Sequence, residues 1–484
     1  MPRVNENAFD SDRKMMTTVH KDVETEKISA YTKGAVDRLI PHCISIFENG
    51  KARPITEQDK KNIDSAAAEM AASALRVLAL AYEENDPSAD EEGLTFVGLV
   101  GMIDPPRPEA KDSVAVFNGA SIRTIMITGD HRDTAFAIAR ELGIADSPEQ
   151  CITGDELNHM TQEELNAKAP SLRVFARVSP ENKVMIVNAF RSHGDIVSMT
   201  GDGVNDAPSL KAADIGVAMG ITGTDVAKGA SDMVLMDDNF ATIEKAIEEG
   251  RNIYNNIKKS VLFLLSSNLG EIVTMFTAIL VGLATPLKAI HILWVNLITD
   301  SLPGLALGVD TGDPEVMQQP PRNPKESLFA GGGYSITVAF GLLIGFTTLC
   351  SFIFTPVAAL MAQGMDVTLS GIRLMLEYEA IYMQSQTYAF TVLGISQLFN
   401  AMGMRNIDKS IFRMKHFDNK LMLIAFAVGF LLQIAVTEIG VLEMVFGTTE
   451  LSLKEWLALT AVSTAPLWLH EIIVPIRRSK RRHV

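Results

Sequence analysis

Residues 199–220 read MTGDGVNDAPSLKAADIGVAMG, and two shorter strings stand upstream, MITGD at 126–130 and FARVSPENK at 175–183. Each begins as an apolar run and ends in Gly and Asp, the form of a buried strand whose carboxyl end opens into a ligand-facing turn. Further apolar segments, LTFVGLVGMID, LRVFARV, DIGVAMG and DMVLM, read as strands of the same kind. Helical patterns such as TAFAIARELGI and PENKVMIVNAF lie between some of them. That alternation predicts a parallel α/β sheet covered on both faces.

The tips predict a phosphate and magnesium site. Gly129, Gly201 and Gly203 let the backbone turn closely against a ligand, and the Thr128 hydroxyl with freed amides suits phosphoryl oxygens. Lys183 adds a compact cation, while Asp202 and Asp206 offer the hard carboxylates that magnesium prefers. One TGD alone reads as a turn. Two such tips in one sheet, one of them extended to TGDGVNDAP, point to phosphoryl transfer.

Outward from that core the chain changes solvent. Six long apolar stretches follow near 257–281, 287–309, 335–361, 384–404, 420–442 and 453–475, each matching the ~20 helical residues that a hydrocarbon core requires. Arg251, Lys258 and Lys259 precede the first, Arg322 and Lys325 follow the second, Arg405 to Lys420 follow the fourth, and the tail RRSKRRHV follows the sixth. The positive-inside rule then places the α/β half and the tail in the cytoplasm. No charged segment leading into an apolar one stands at the amino terminus, so no signal peptide is expected.

Hydrophobic residues make up 47% and charged residues 21%, with a net charge of -15, which excludes intrinsic disorder and argues against nucleic acid as a partner. Cys43, Cys151 and Cys350 are too scattered for a disulfide framework or a thiolate zinc site.

Polar residues inside the apolar stretches give an independent signal, because a central charge in hydrocarbon costs about 2.5–3.5 kcal/mol on insertion scales. Asn268 and Glu271 are three apart in SSNLGE, and Asn296, Thr299 and Asp300 in WVNLITD share one helix face. Their oxygens suit a hard cation. Pro303 and Gly304 are expected to interrupt the second span and free carbonyls nearby.

The string at 199–220, with MITGD and FARVSPENK, closely resembles the phosphorylation domain of P-type cation-transporting ATPases, whose fold is haloacid dehalogenase-like. The resemblance runs nearly end to end. It implies that Asp202 holds magnesium, that Asn205 and Asp206 organise the phosphorylated site, and that Lys183 neutralises phosphoryl charge. It also implies that Thr128, Gly129, Asp130 and Arg177 contact ATP. FDSDRK and YTKGAVDRL resemble the nucleotide-binding domain of the same pumps, which implies Phe9 on adenine, Arg13 and Lys14 nearby, and Lys33, Gly34 and Ala35 lining the pocket. Ser11 stands where some members carry Arg. Arg76 resembles the arginine that bridges nucleotide phosphate, and Asp104 a hinge element.

The intramembrane strings resemble those of calcium pumps, with Asn296 favouring calcium over sodium and potassium. Gln397 in GISQLFNAM stands where the sarcoplasmic type has Glu and the plasma-membrane type Gln, so one calcium per cycle is expected.

The fold class expected is thus α/β plus membrane. The organisation expected is a partial nucleotide-binding domain at 1–93, an incomplete phosphorylation domain at 94–240, a stalk and six-helix membrane domain at 241–476, and a basic tail at 477–484. The family's nucleophile lies in DKTGT, a string absent from these residues, as are its TGE and PEGL strings. The resemblance therefore implies a partner: the amino-terminal half, with the actuator domain and the first four membrane helices. The leading expectation is the carboxyl-terminal portion of a calcium pump, inactive alone, which uses ATP and magnesium and sits in a lipid bilayer. The alternatives are a non-catalytic membrane-anchored nucleotide- or ion-binding fragment, a pump for another cation, and a soluble-type phosphatase fused to a membrane anchor.

Overall fold

The structure, a computed structural model, describes residues 1–10, 13–72, 75–85, 87–102 and 105–481, with side chains omitted at 314 and 478–481. Ser11, Asp104 and the last three residues of the basic tail lie outside the described residues. The chain divides into two compact units, Met1–Ala246 with Met317–Pro321, and Ile247–Val316 with the remainder from Arg322.

The described residues of the first unit form three sheets. Strands β1 (Arg3–Asp10), β2 (Met15–Lys21), β3 (Ile28–Gly34), β4 (Cys43–Glu48), β5 (Lys51–Pro54), β6 (Arg76–Glu84) and β7 (Leu94–Met102) form one mixed sheet in the order β1-β2-β3-β6-β7-β4-β5. Alternation sets its register: Met15, Thr17 and Val19 of β2 are buried, as are Ala30, Thr32 and Gly34 of β3. Helix α1 (Glu57–Ala72) follows β5. β7 was expected in the parallel sheet and is found here instead, antiparallel to β6 and parallel to β4. A nine-residue apolar run satisfies either sheet, and pairing partners decide between them.

The other two sheets are wholly parallel. β8 (Met126–Thr128), β9 (Cys151–Thr153) and β10 (Val174–Ala176) pair in the order β8-β10-β9. β11 (Ser198–Gly201), β12 (Ile215–Met219) and β13 (Met233–Leu235) pair in chain order. The parallel strands expected from the sequence are present, but in two sheets rather than one. Helix α2 (Arg132–Leu142) leaves the β8 tip and stops at Gly143, whose φ of +75° suits glycine in the left-handed region. Helix α3 (Pro180–Ser192) starts from a capping box between Ser179 and Asn182 with Pro180 at its first position, which fixes Lys183 in the first turn.

The second unit is helical: α4 (Phe240–Val281, begun in the first unit), α5 (Ala289–Trp294), α6 (Ser301–Gly308), α7 (Gly333–Ala362), α8 (Glu379–Met404), α9 (Lys420–Glu438), α10 (Leu453–Ser463) and α11 (Ala465–Arg481). Among the described residues five segments are long and apolar enough to cross a membrane: α4, α5 through α6, α7, α9, and α10 with α11. Six were expected. The remaining one, α8, has 26 residues, but its apolar character is diluted by Ser385, Gln386, Thr387, Thr391, Ser396, Gln397 and Asn400, all buried inside the protein.

Between α5 and α6, residues Val295–Asp300 form wide π-type turns. The expected interruption at Pro303 and Gly304 thus lies earlier, since both residues are inside α6. Proline lacks the N–H that would bond the carbonyl four residues back, at Thr299, so the ladder loosens on its amino-terminal side.

Candidate functional sites

At the β11 tip, Asp206 is the organising group. Its Oδ2 accepts from the amides of Asp202 and Gly203 at 3.2 and 3.1 Å, and its Oδ1 pairs with Lys183 Nζ. Burial pushes this carboxyl up, but Lys183 and the two amides outweigh it, and its pKa falls below the usual aspartate value. A Cβ at position 201 would stand 2.5 Å from that of Asp206, so only glycine admits the approach. Asp202 and Asn205 face solvent on the same turn.

At the β8 tip, Thr128 Oγ1 accepts from the Asp130 amide at 3.1 Å and lies 3.2 Å from Asp130 Oδ2. Gly129 between them is exposed. Asp130 Oδ1 pairs with Arg76 Nη2 at 2.8 Å, which joins two residues expected at the nucleotide. Arg177 has a φ of +52°, and its guanidinium grips Asp37 in a fork at 2.7 and 3.1 Å. Burial raises Asp37, but Arg177 outweighs it and holds the carboxyl low. Lys14 is lowered by burial and by the charge of Arg177, so Lys14, Arg177 and the nearby Arg38 form a cationic group around one carboxylate.

The remaining nucleotide candidates are spread over the mixed sheet. Phe9 is 64% exposed at the end of β1, and Lys33 projects outward from β3. Gly34 is buried where a Cβ would stand 2.6 Å from the Met15 side chain. Arg13 is held by Glu91 and the Ala8 carbonyl. Among the described residues no three His, Cys, Asp or Glu side chains converge as a ready metal centre.

The helical unit brings its candidates closer together. Asn296 Nδ2 and Gln397 Nε2 donate to the two oxygens of Glu271 at 3.4 and 3.3 Å. Thr299 Oγ1 lies 2.9 Å from Gln397 Oε1 and 2.9 Å from the Val295 carbonyl. Asp300 is 2% exposed, and neither of its carboxylate oxygens has a hydrogen-bond partner. The cluster thus draws on α4, the π-type turns and α8. Asn268, half-buried, has no bond into it.

Several groups were missed. Ser267, Ser396, Asn400 and Gln433 are buried with unpartnered oxygens, and Gln433 lacks a partner at both amide atoms. The rule that flagged Glu271 applies equally to Gln433, the one amide in LIAFAVGFLLQIAV of α9.

Comparison with known sequences supplies the context for both clusters. Residues 1–109 match the profile described as "P-type ATPase, cytoplasmic domain N", and residues 284–476 match "Cation transporting ATPase, C-terminus". The chain belongs to the P-type cation-transporting ATPases. The calcium-transporting ATPase 1 of Bacillus cereus is 53% identical over 484 residues, covering 97% of this chain and 53% of that protein. The calcium-transporting ATPase of Bacillus subtilis is 42% identical over 475 residues, 96% of this chain and 51% of that one. The calcium-transporting ATPase type 2C member 1 of Bos taurus is 37% identical over 483 residues, 99% of this chain and 48% of that one. The chain spans about half the length of these relatives.

As a P-type ATPase with five helices able to span hydrocarbon among the described residues, it is a multi-pass membrane protein. The amino-terminal match runs to residue 109, past β7, and so agrees with the pairing of that strand in the mixed sheet.

Proposed function

We propose that this chain is the carboxyl-terminal portion of an ATP-driven calcium pump, which moves calcium out of the cytoplasm through an aspartyl-phosphate cycle. The nucleophilic aspartate comes from outside these 484 residues, since DKTGT does not occur among them. The observation that carries the calcium half of the reading is Asp300, a carboxylate buried among membrane helices with both oxygens unpartnered beside the Glu271, Asn296, Thr299 and Gln397 network. Two buried carboxylates, Glu271 held by neutral amides and Asp300 with none, carry the charge that balances a divalent hard cation.

The split of the parallel sheet supports the phosphoryl half. β8 and β11 each have one unpaired edge, and each ends in candidate residues. Ile127 of β8 and Val197, just before β11, both pack against the apolar cores of the two half-sheets. A strand supplied from outside would join the halves into one haloacid dehalogenase-like sheet, with its nucleophile beside Thr128, Lys183 and Asp206. In this reading residues 1–109 form part of the nucleotide-binding domain, and the sheet of β8 to β13 forms the phosphorylation domain. The spanning segments, with α8 as the sixth, follow.

Each residue then has a role. Asp202, exposed and not committed to Lys183, would hold magnesium, and Asp206 is too occupied to be its main ligand. Magnesium offsets phosphoryl charge when bound. Lys183 binds a phosphoryl oxygen, and Asp206 holds that lysine and the Asp202 turn in position. Arg76, Asp130, Arg177 and Lys14 receive the nucleotide, with Phe9 open for stacking on the base.

The test is direct. The chain alone, incubated with labelled ATP, should give no acid-stable phosphoprotein, whereas the chain joined to an upstream segment carrying DKTGT should give one that depends on calcium. Labelling of the short chain overturns the assignment of the nucleophile.

A further inference from the structure

Gln433 is the most conspicuous polar group that the cluster leaves unused. It is fully buried on α9, and neither amide atom has a hydrogen-bond partner. Its place is made by reciprocal packing. A Cβ on Gly394 of α8 would stand 3.1 Å from Gln433 Oε1, and a Cβ on Gly429 of α9 would stand 2.9 Å from the Leu398 side chain of α8. On each helix the glycine and the larger residue are four apart, so they share a face, and each glycine is the notch into which the partner helix inserts its larger side chain.

The notch at Gly394 adjoins the cation cluster. The same Cβ position lies 3.7 Å from Thr299 Cγ2, and Gly394 is one turn from Gln397, whose amide oxygen meets Thr299 Oγ1. A leucine would fill a notch between two apolar helices without leaving a buried amide unsatisfied. An amide delivered there has a use if an oxygen-seeking ligand enters.

We propose that Gln433 is a further ligand of the intramembrane cation site, its amide oxygen joining Thr299 and Gln397 in a neutral lobe beside the carboxylates of Glu271 and Asp300. This rests on the cation-site reading above. The neutral lobe raises the number of oxygens without adding charge, so two carboxylates suffice to balance one divalent ion of high coordination number. It also brings a fourth helical segment, α9, to a site otherwise built from α4, the π-type turns and α8.

Equilibrium binding of radiolabelled calcium to the purified 484-residue chain in detergent tests this. Gln433→Leu should weaken binding by about tenfold, on the scale of losing one supporting ligand. Gln433→Glu should restore or exceed the original affinity. Gly394→Ala, which keeps the amide but fills its notch, should weaken binding as Gln433→Leu does. Melting temperatures of all three are measured alongside, and rescue by Glu distinguishes ligation from packing. Unchanged affinity in Gln433→Leu, with binding lost in Asp300→Asn, overturns this inference and leaves the cation-site reading standing. Wild-type binding no stronger than that of Asp300→Asn overturns the cation-site reading itself.

Discussion

The two candidate sites keep their charges in opposite ways. At the strand tips most charged side chains are already paired, Lys183 with Asp206, Arg76 with Asp130 and Arg177 with Asp37, while Asp202 is exposed. Among the membrane helices, Asp300 has neither oxygen partnered, and Glu271 has only neutral amides. The solvent explains the contrast. The partly exposed pairs Arg76–Asp130 and Arg177–Asp37 are worth at most about 1 kcal/mol and exchange readily, so a phosphate can displace those carboxylates at little cost, whereas Asp206 is buried and held by two amides as well. In hydrocarbon an unpaired carboxylate is expensive, and a bound cation is the ligand that relieves it.

The largest effect should fall on the unpaired site. Asp300→Asn removes one of its two carboxylates and should lower calcium affinity by on the order of a hundredfold, since charge count sets affinity in all-oxygen sites. Titration of calcium-dependent phosphorylation in the completed pump reads it. Unchanged calcium dependence would make the buried carboxylate an ordinary packing group and erase the contrast.

A smaller effect is expected from acid. The folded pKa of Asp206 lies below its ordinary value, so it contributes stability above that value and loses it as pH falls through the folded one. Hydrogen bonds to a charged group are worth about 1.5–3 kcal/mol, which predicts a fall of several degrees in the melting of the first unit. Asp206→Asn should melt lower at neutral pH and lose less on acidification below about pH 3.9. Parallel acid profiles for the two proteins would mean that the Lys183–Asp206 pair is not what organises this tip.

The strand tips were legible because glycine, aspartate and lysine in those strings have few other uses. MTGDGVND ended where expected, at Gly201 with Asp206 beneath it. The division of the parallel sheet was not legible, since short apolar runs such as those of β8 and β11 do not specify which strands they pair with. β7 misled for a related reason: its apolar run contains no information about its neighbour. In the membrane half, spacing singled out Asn268, Glu271, Asn296, Thr299 and Asp300 and the resemblance added Gln397, and the structure joins Glu271, Asn296, Thr299 and Gln397 in one hydrogen-bonded network. Spacing did not show that Asn268 stays outside that network, nor did it point to Gln433, whose burial depends on Gly394 of one helix facing Gln433 and Gly429 of the other facing Leu398. Such a notch has no signature within either helix alone. The break in the second span was legible from Pro303 but fell one turn too late, because proline loosens the ladder behind it.

The weakest expected effect sharpens the comparison from the wet side. Asp37 occupies the Arg177 fork, with Lys14 and Arg38 close by, so under the proposed nucleotide reading it would compete with a nucleotide phosphate for the same cations. Its side chain is 45% exposed, which keeps the pair within the range of about 0.2–1 kcal/mol for surface bridges. Asp37→Asn should therefore tighten nucleotide binding no more than about fivefold, a factor that corresponds to the top of that range. Calorimetric titration at low ionic strength should resolve the gain, and raising salt to about 0.15 M should shrink it, because exposed charges are screened over about 8 Å there. Weaker nucleotide binding in Asp37→Asn would mean that the carboxylate positions Arg177 for the ligand instead of competing with it. The paired arginines would then be a preformed part of the site, and the strand tips would resemble the membrane cluster in being built before their ligand arrives.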